Sequence, residues 1–279
     1  MTGVWQFQND LSAGADTVSS QKLQPVLCIR TQTTASHIIY GHPFHAFMDT
    51  EHRTATANPG QVILINKPLR WTSFDVVKKL KYALKVKKIG HAGTLDPLAT
   101  GLLILCTEKK TKEIDQYQAQ EKEYTGTLVL GKTTPSVDLE TEVNAEYPTG
   151  HISEAMIREA ARQLTGEITQ VPPIFSAIKI DGQRAYQKAR QGQTEADVVM
   201  KPRIVQVPVF EITGIAMPEV SFRIVCSKGT YIRSLVRDFG LSLQSGAYMS
   251  ALCRTRIGDF RLEDATGVEE FVHLHKTSG

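Results

Sequence analysis

From Gly60 onward the chain falls into stretches whose apolar positions repeat with a recognisable period, separated by short polar or glycine-rich breaks. QVILINKP, residues 61–68, is an apolar run closed by Lys67-Pro68 and predicts a buried strand ending in a turn. Thr72 or Ser73 then opens a helix. Its apolar positions Phe74, Val77, Leu80 and Leu84 are expected to face inward, with Lys78, Lys81, Lys85 and Lys88 as a basic stripe elsewhere on the helix and its exit. LLILC, residues 102–106, and EKEYTGTLVLG, residues 121–131, predict two further strands. Tyr124 lies near the start of the second and Gly131 at its end.

A second helix starts at Ser153, carries Ile157, Ala160, Ala161 and Leu164 inward, and closes at Gly166. VPPIFSAIKIDGQRAYQKARQG, residues 171–192, reads as a loop with a strand, a turn at Asp181-Gly182 and a short basic helix. PRIVQVPVFEITGI and EVSFRIVCSKG predict paired strands, the latter with Val220, Phe222, Ile224 and Cys226 on one face. YIRSLVRDFGLSLQSG predicts a helix with Ile232, Leu235, Val236, Phe239 and Leu243 inward, ending at Gly246. Strands and helices follow each other without steady strand–helix–strand alternation or an internal repeat. The fold class expected is therefore α+β, with a mixed, mainly antiparallel central sheet flanked by helices and loops.

Residues 1–59 break this texture: they are polar, rich in Thr, Ser, Ala and His, and hold no period. They are expected to form a peripheral or poorly ordered extension, and residues 60–279 a single catalytic-sized domain. His37, His42, His45 and His52 have no Cys, Asp or Glu partner at a ligand spacing, so a polar tail is expected rather than a metal cluster. Cys28, Cys106, Cys226 and Cys253 form no CxxC pair and are expected as reduced thiols. There is no run of about 20 apolar residues and no secretory layout at the N-terminus, so a cytoplasmic protein with no membrane association is expected. A net charge of +3 is too mild to identify a nucleic-acid partner by itself.

The P-loop, GxGxxG, HExxH and GxSxG signatures are all absent, which removes the usual marks of nucleotide hydrolysis, dinucleotide binding, zinc proteolysis and serine hydrolysis. GHAGTLDPLATGLLILC, residues 90–106, instead places one carboxylate, Asp96, between glycines at 90, 93 and 101 and ahead of Pro97. Glycines permit close backbone approach, and proline stiffens the turn after the acid. Asp96-Pro97 alone is equally an ordinary turn. A carboxylate that works near neutral pH has to be ionised, and a guanidinium favours that form. Arg233 in CSKGTYIRSLVRDFG is a candidate partner, although proximity does not follow from spacing.

These three strings, GHAGTLDPLATGLLILC, CSKGTYIRSLVRDFG and VPPIFSAIKIDGQRAYQKARQG, occur within residues 61–260 and together resemble the tRNA pseudouridine synthase B family. The resemblance implies the pseudouridine synthase fold and isomerisation of uridine 55 in the tRNA T loop, without cofactor or metal. It implies Asp96 as the essential aspartate, Tyr124 as the tyrosine that packs on the target base, and Arg233 as the partner of the aspartate. Tyr231 belongs to the same pocket wall, and Lys67 and Pro68 to a Lys-Pro element beside it. His91 falls on the histidine that fills the RNA stack, and Asp138 on an acid that contacts the RNA loop. The partner implied is tRNA, through its T loop and stem, bound by a monomer. The lysines at 78, 81, 85, 87, 88, 109, 110 and 112 are placed to meet its phosphates. The family's small C-terminal RNA-binding domain is not expected here, so grip on the acceptor arm is expected to be weaker or supplied otherwise. Two other readings are a guide-RNA-dependent pseudouridine synthase and a non-catalytic tRNA-folding protein.

Overall fold

In the computed structural model, the structure describes residues 59–176, 178–180, 182–193, 197 and 200–276. The expected N-terminal extension with its four histidines, Cys28 and Asp181 of the expected turn lie outside the described residues.

The chain enters as β1 (Val62–Lys67), followed by α1 (Ser73–Leu84), the short β2 (Ile89–His91) and β3 (Ala99–Thr107). After a 3-10 turn come α2 (Ile114–Ala119), β4 (Lys122–Leu130) and a small ribbon of β5 (Lys132–Thr133) and β6 (Ala145–Glu146). Then follow α3 (Glu154–Gln163) and β7 (Gly166–Gln170). The hairpin β8 (Lys179–Ile180) and β9 (Gln183–Arg184) leads into α4 (Ala185–Arg190). The last third holds β10 (Arg203–Val207), β11 (Val209–Ala216), β12 (Glu219–Cys226), α5 (Ile232–Ser242) and β13 (Ala247–Ile257). It closes with β14 (Phe260–Arg261), β15 (Thr266–Gly267) and α6 (Val268–Lys276).

The main sheet runs β11-β12-β4-β13-β3-β1-β15, with β14 on β13 and β2 on β3. Only β13–β3 and β1–β15 pair in parallel; the others are antiparallel, so the sheet is mixed and mainly antiparallel, as the element order predicts. β3 is a central strand buried on both faces, which is why its sequence is a continuous apolar run rather than an alternation. Leu103 and Leu105 pack with Ile63, Ile65 and Leu80 under α1 and α6, while Leu102, Ile104 and Cys106 face the opposite side. A larger core joins α3 and α5 to the β11, β12 and β4 end, through Ile157, Leu235, Phe239, Phe222 and Ile224.

Gly101 shows why β3 needs a glycine where it meets β13. Its φ is +103°, and a Cβ there would lie 2.3 Å from the Arg254 carbonyl oxygen. The close approach lets Arg254 of β13 reach under the loop that carries Asp96.

The first helix differs from its expected orientation. Thr72 caps α1 in a reciprocal box with Asp75, but the buried face is Ser73, Val76, Val77 and Leu80. Phe74 is 68% exposed and shares the outer face with Lys78, Lys81, Tyr82 and Lys85. At 100° per residue Phe74 falls with the lysines and not with Val76 and Leu80. The 74-77-80-84 spacing therefore describes a stripe broader than the buried face. α5 and α3 bury the side chains their periodicity predicts, although α5 ends at Ser242 and α3 at Gln163, earlier than the following glycines. β13, which no pattern announces, is the longest strand of the sheet.

Candidate active site

Asp96 sits in the loop between β2 and β3, and that loop is clamped from three directions. The Ser73 hydroxyl, at the start of α1, accepts from the Leu95 amide at 2.9 Å and donates to the Leu95 carbonyl at 3.2 Å. The Arg70 amide donates to the Pro97 carbonyl at 2.7 Å. From below, the Arg254 guanidinium, 1% exposed, donates to the carbonyls of Leu102 at 2.8 Å, Gly93 at 3.1 Å and Thr94 at 3.5 Å. A buried guanidinium must have its N–H groups satisfied, and here backbone carbonyls of the loop and of β3 take them.

Lys67 completes the clamp. It is wholly buried and its ammonium donates to the carbonyls of Trp71 at 2.6 Å, Pro68 at 2.9 Å and Pro97 at 3.4 Å. Burial pulls its pKa down to about 8, with the nearby Asp96 carboxylate opposing the shift.

Arg233 comes from the first turn of α5. Its backbone is placed by Gln170 at the end of β7, whose buried amide accepts from the Tyr231 N–H at 2.8 Å and donates to the Tyr231 carbonyl at 3.1 Å. The Arg233 guanidinium, itself buried, contacts Asp96 Oδ2 through Nε at 3.0 Å and Nη2 at 2.9 Å. Nη1 donates to the Ser136 carbonyl at 3.0 Å and Nη2 to the Phe175 carbonyl at 2.7 Å. Asp138 Oδ2 lies 3.6 Å from Nε. Both Asp96 contacts end on Oδ2, and the Asp96 side chain is 39% exposed, so the carboxylate is anchored on one oxygen and open on its other side. Arg233 and Asp96 are 137 residues apart, a separation that only the folded chain brings together.

The open side faces a cavity of about 370 Å³ whose walls include Asp96, Tyr124, Tyr231, Arg233, Leu252 and Lys122. Tyr124 lies on β4 with its phenol buried, and burial raises its pKa, so the ring stays neutral near pH 7. Tyr231 is likewise raised by burial. Lys122 is buried two residues before Tyr124, bonds the Gln118 and Gln120 carbonyls, and is pulled down by burial to about 8. The cavity therefore combines one anchored carboxylate, two neutral aromatic phenols and the buried cations Lys122, Arg233 and Arg254, an arrangement suited to holding a planar ring against a sugar beside the carboxylate.

Of the eight residues singled out in the sequence, Asp96, Tyr124, Tyr231 and Arg233 line this cavity together. Lys67, Pro68, His91 and Asp138 are not on its wall. Lys67 acts on Pro97 from behind the loop, with Pro68 partly exposed beside it. Asp138 is buried, accepts from the Glu140 amide at 2.9 Å and faces Arg233, and burial raises its pKa. In this structure it therefore faces Arg233 from inside. His91 is half-buried on β2 with Nδ1 lacking a hydrogen-bond partner, and burial together with Arg254 lowers its pKa.

Sequence reasoning missed Lys122, Arg254, Leu252, Gln170 and Ser176. A buried Arg or Lys looks like a surface residue in a single sequence, so no local signal marks Arg254 or Lys122. Of the lysines expected to meet phosphates, Lys78, Lys81, Lys85, Lys87, Lys88, Lys109 and Lys112 are exposed, whereas Lys110 is engaged with Glu113 at 2.8 Å. A separate apolar groove of about 900 Å³ runs along α1 past Phe74, Tyr82 and Val272, and no carboxylate lines it. Among the described residues no cluster of three His, Cys, Asp or Glu side chains could hold a metal ion, and no helix is long and apolar enough to cross a membrane.

Comparison with known proteins places this fold in a class. A solved chain from a Cbf5-Nop10-Gar1 complex is 32% identical and superposes with a TM-score of 0.59, over 76% of this chain and 53% of that one. A chain from the archaeal box H/ACA sRNP Nop10-Cbf5 complex is 28% identical with a TM-score of 0.58, over 81% and 57% of the two chains. This chain thus spans little more than half of those Cbf5 chains. Residues 81–232 match the family model described as TruB family pseudouridylate synthase, N terminal domain. The curated relatives named tRNA pseudouridine synthase B include that of Flavobacterium johnsoniae, 55% identical over 76% of this chain and 94% of its own length. That of Phocaeicola vulgatus is 51% identical over 76% of this chain and 92% of its own. The chain belongs to the TruB family of pseudouridylate synthases.

Proposed function

We propose that this protein converts uridine 55 of the tRNA T loop to pseudouridine, with Asp96 as the catalytic residue. The observation that carries the reading is the Asp96 carboxylate, held on one oxygen by Arg233 and open on the other towards a cavity walled by Tyr124 and Tyr231. The relatives at 50–55% identity are named for this chemistry.

The target uridine leaves the RNA stack and enters the cavity, at a cost of roughly a few kcal/mol that contacts with Tyr124 and Tyr231 offset, since base–aromatic stacking returns about 1–3 kcal/mol. The Asp96 carboxylate acts at the sugar, by attack on C1′ or removal of a C2′ proton, while the N1–C1′ bond breaks and the electron pair departs with the uracil. The freed ring turns and bonds C1′ through C5 as the Asp96–C1′ bond breaks or the C2′ proton returns; C5 then loses its proton, which the neutral Tyr124 hydroxyl relays by giving up its own, and N1 takes up a proton. Atoms and electrons balance within the nucleotide, so the reaction calls for no cofactor or metal. Arg233 anchors Asp96 and aims it, and Asp138 and Lys67 hold Arg233 and the loop from behind. His91 is assigned to the RNA stack left by the uridine, and Pro68 to the rim beside Lys67. The exposed lysines of α1 engage phosphates of the T stem. The working unit is residues 60–279 as a monomer in the cytoplasm.

The test is incubation of the protein with an unmodified tRNA transcript, followed by carbodiimide treatment and primer extension. The expected result is a stop at position 55 with the parent protein. With Asp96→Asn the stop should be lost by at least about 10²–10⁴-fold in rate while tRNA is still bound. Binding without any stop in the parent would point instead to a tRNA-folding role.

A further inference from the structure

The string VPPIFSAIK contains a polar group that the chemistry above does not use. Ser176 is 4% exposed and lies on the wall of the Asp96 cavity, and its hydroxyl oxygen has no hydrogen-bond partner. The Tyr231 hydroxyl lies near enough for the Ser176 hydroxyl to lower the Tyr231 pKa in the manner of a hydrogen bond, but the pair stands outside hydrogen-bond geometry.

Buried hydroxyls in folded proteins are satisfied almost without exception, because an unpaired one forfeits its bonds to water. The Ser176 backbone is held in place. Its amide donates to the Ile174 carbonyl at 2.8 Å, and its carbonyl accepts from the Tyr186 amide at 3.0 Å. The carbonyl of Phe175, just before it, is held by Arg233 Nη2 at 2.7 Å. The residue is thus fixed by the same guanidinium that anchors Asp96, with its one unpaired group at the cavity.

We propose that Ser176 is a substrate-binding residue whose hydroxyl donates a hydrogen bond to a polar atom of the nucleotide extruded into the Asp96 cavity. This rests on the reading that the cavity receives a uridine, and it adds a contact that neither the aspartate nor the tyrosines supply. Because the nucleotide enters the cavity only after the stem has docked, the bond acts on extrusion and chemistry and not on the initial grip. It therefore belongs in the rate after binding and not in Kd.

The experiment compares the parent with Ser176→Ala in three measurements: tRNA Kd, single-turnover pseudouridine formation at saturating enzyme, and thermal unfolding of the free protein. The expected result is a rate lower by about three- to tenfold, the worth of one neutral hydrogen bond. Kd should change less than twofold, and Tm should stay the same or rise, since the free protein loses only an orphaned hydroxyl. An unchanged single-turnover rate overturns the proposal, as does a lowered Tm, which would give the hydroxyl a structural role. Failure of the parent itself to form pseudouridine would strike the underlying reading rather than Ser176.

Discussion

Arg233 is the residue on which most of the site turns, because it satisfies four groups from three separated parts of the chain: Asp96, Ser136 and Asp138, and Phe175. Replacing it with Met would leave Asp138 buried without its cation and two carbonyls without donors. Breaking a buried pair in this way costs about 3–5 kcal/mol, so Arg233→Met should lower the urea midpoint sharply as well as abolish turnover. Asp96→Asn should lower it far less, since Asp96 is partly exposed and Asp138 remains beside the guanidinium. Cys226 makes the pH dependence readable. Burial pushes its thiol from 9.0 up to about 12. In the folded state the thiol keeps its proton to about pH 12, while in the unfolded chain it loses it near 9, so the folded form binds more protons in that window and stability falls as pH rises through it. Lys67 and Lys122, each lowered to about 8, work in the opposite direction between pH 8 and their ordinary value of 10.5. The expected outcome is that the urea midpoint of the parent falls relative to that of Cys226→Ala as pH rises from 9 to 11, whatever the absolute stability of either. At this scale the glycines and proline around Asp96 make it conspicuous in the sequence, and resemblance names its partners. Ser176, Lys122 and Arg254 stay hidden because their roles arise from burial, which residue identity does not report.

Secondary-structure elements are legible where one face is buried and the other solvated. β12 alternates and buries Val220, Phe222, Ile224 and Cys226, and α5 buries Ile232, Leu235, Val236 and Phe239. β13 is illegible because its sequence, AYMSALCRTRI, places a fully buried arginine among its inward positions. An apolar-polar reading assigns that residue to solvent. The same strand demands Gly101 opposite it, and Gly101→Ala should be among the most damaging small substitutions in the protein. Positive φ alone costs a side chain about 1–3 kcal/mol, and the clash with the Arg254 carbonyl adds to it, so thermal unfolding should show a loss larger than that range. Thr72→Ala removes the cap of α1, where the Thr72 hydroxyl accepts from the Asp75 amide at 3.0 Å. Its expected cost is about 0.5–2 kcal/mol. Because Ser73 of that helix grips Leu95, the variant should also lower turnover at temperatures well below its Tm.

Over the whole molecule, charge and shape divide the labour. A net charge of +3 is modest, but Lys78, Lys81 and Lys85 are gathered on one exposed face of α1 together with Phe74 and Tyr82. If that face meets phosphates, the triple variant Lys78→Glu, Lys81→Glu, Lys85→Glu should weaken tRNA binding and reduce the slope of log Kd against log salt by about 0.7–0.9 for each phosphate no longer neutralised. Its thermal stability should hardly change, because these side chains are exposed. An unaltered salt slope would move the RNA to another face. The central claim, however, is that Asp96 acts at the sugar of an extruded uridine, and the most direct measurement of it is pseudouridine formation at position 55 of an unmodified tRNA transcript by the parent and by Asp96→Asn. The account predicts a position-55 product with the parent and none with the variant at equal tRNA occupancy. Product formed by Asp96→Asn at the parent's rate would contradict it.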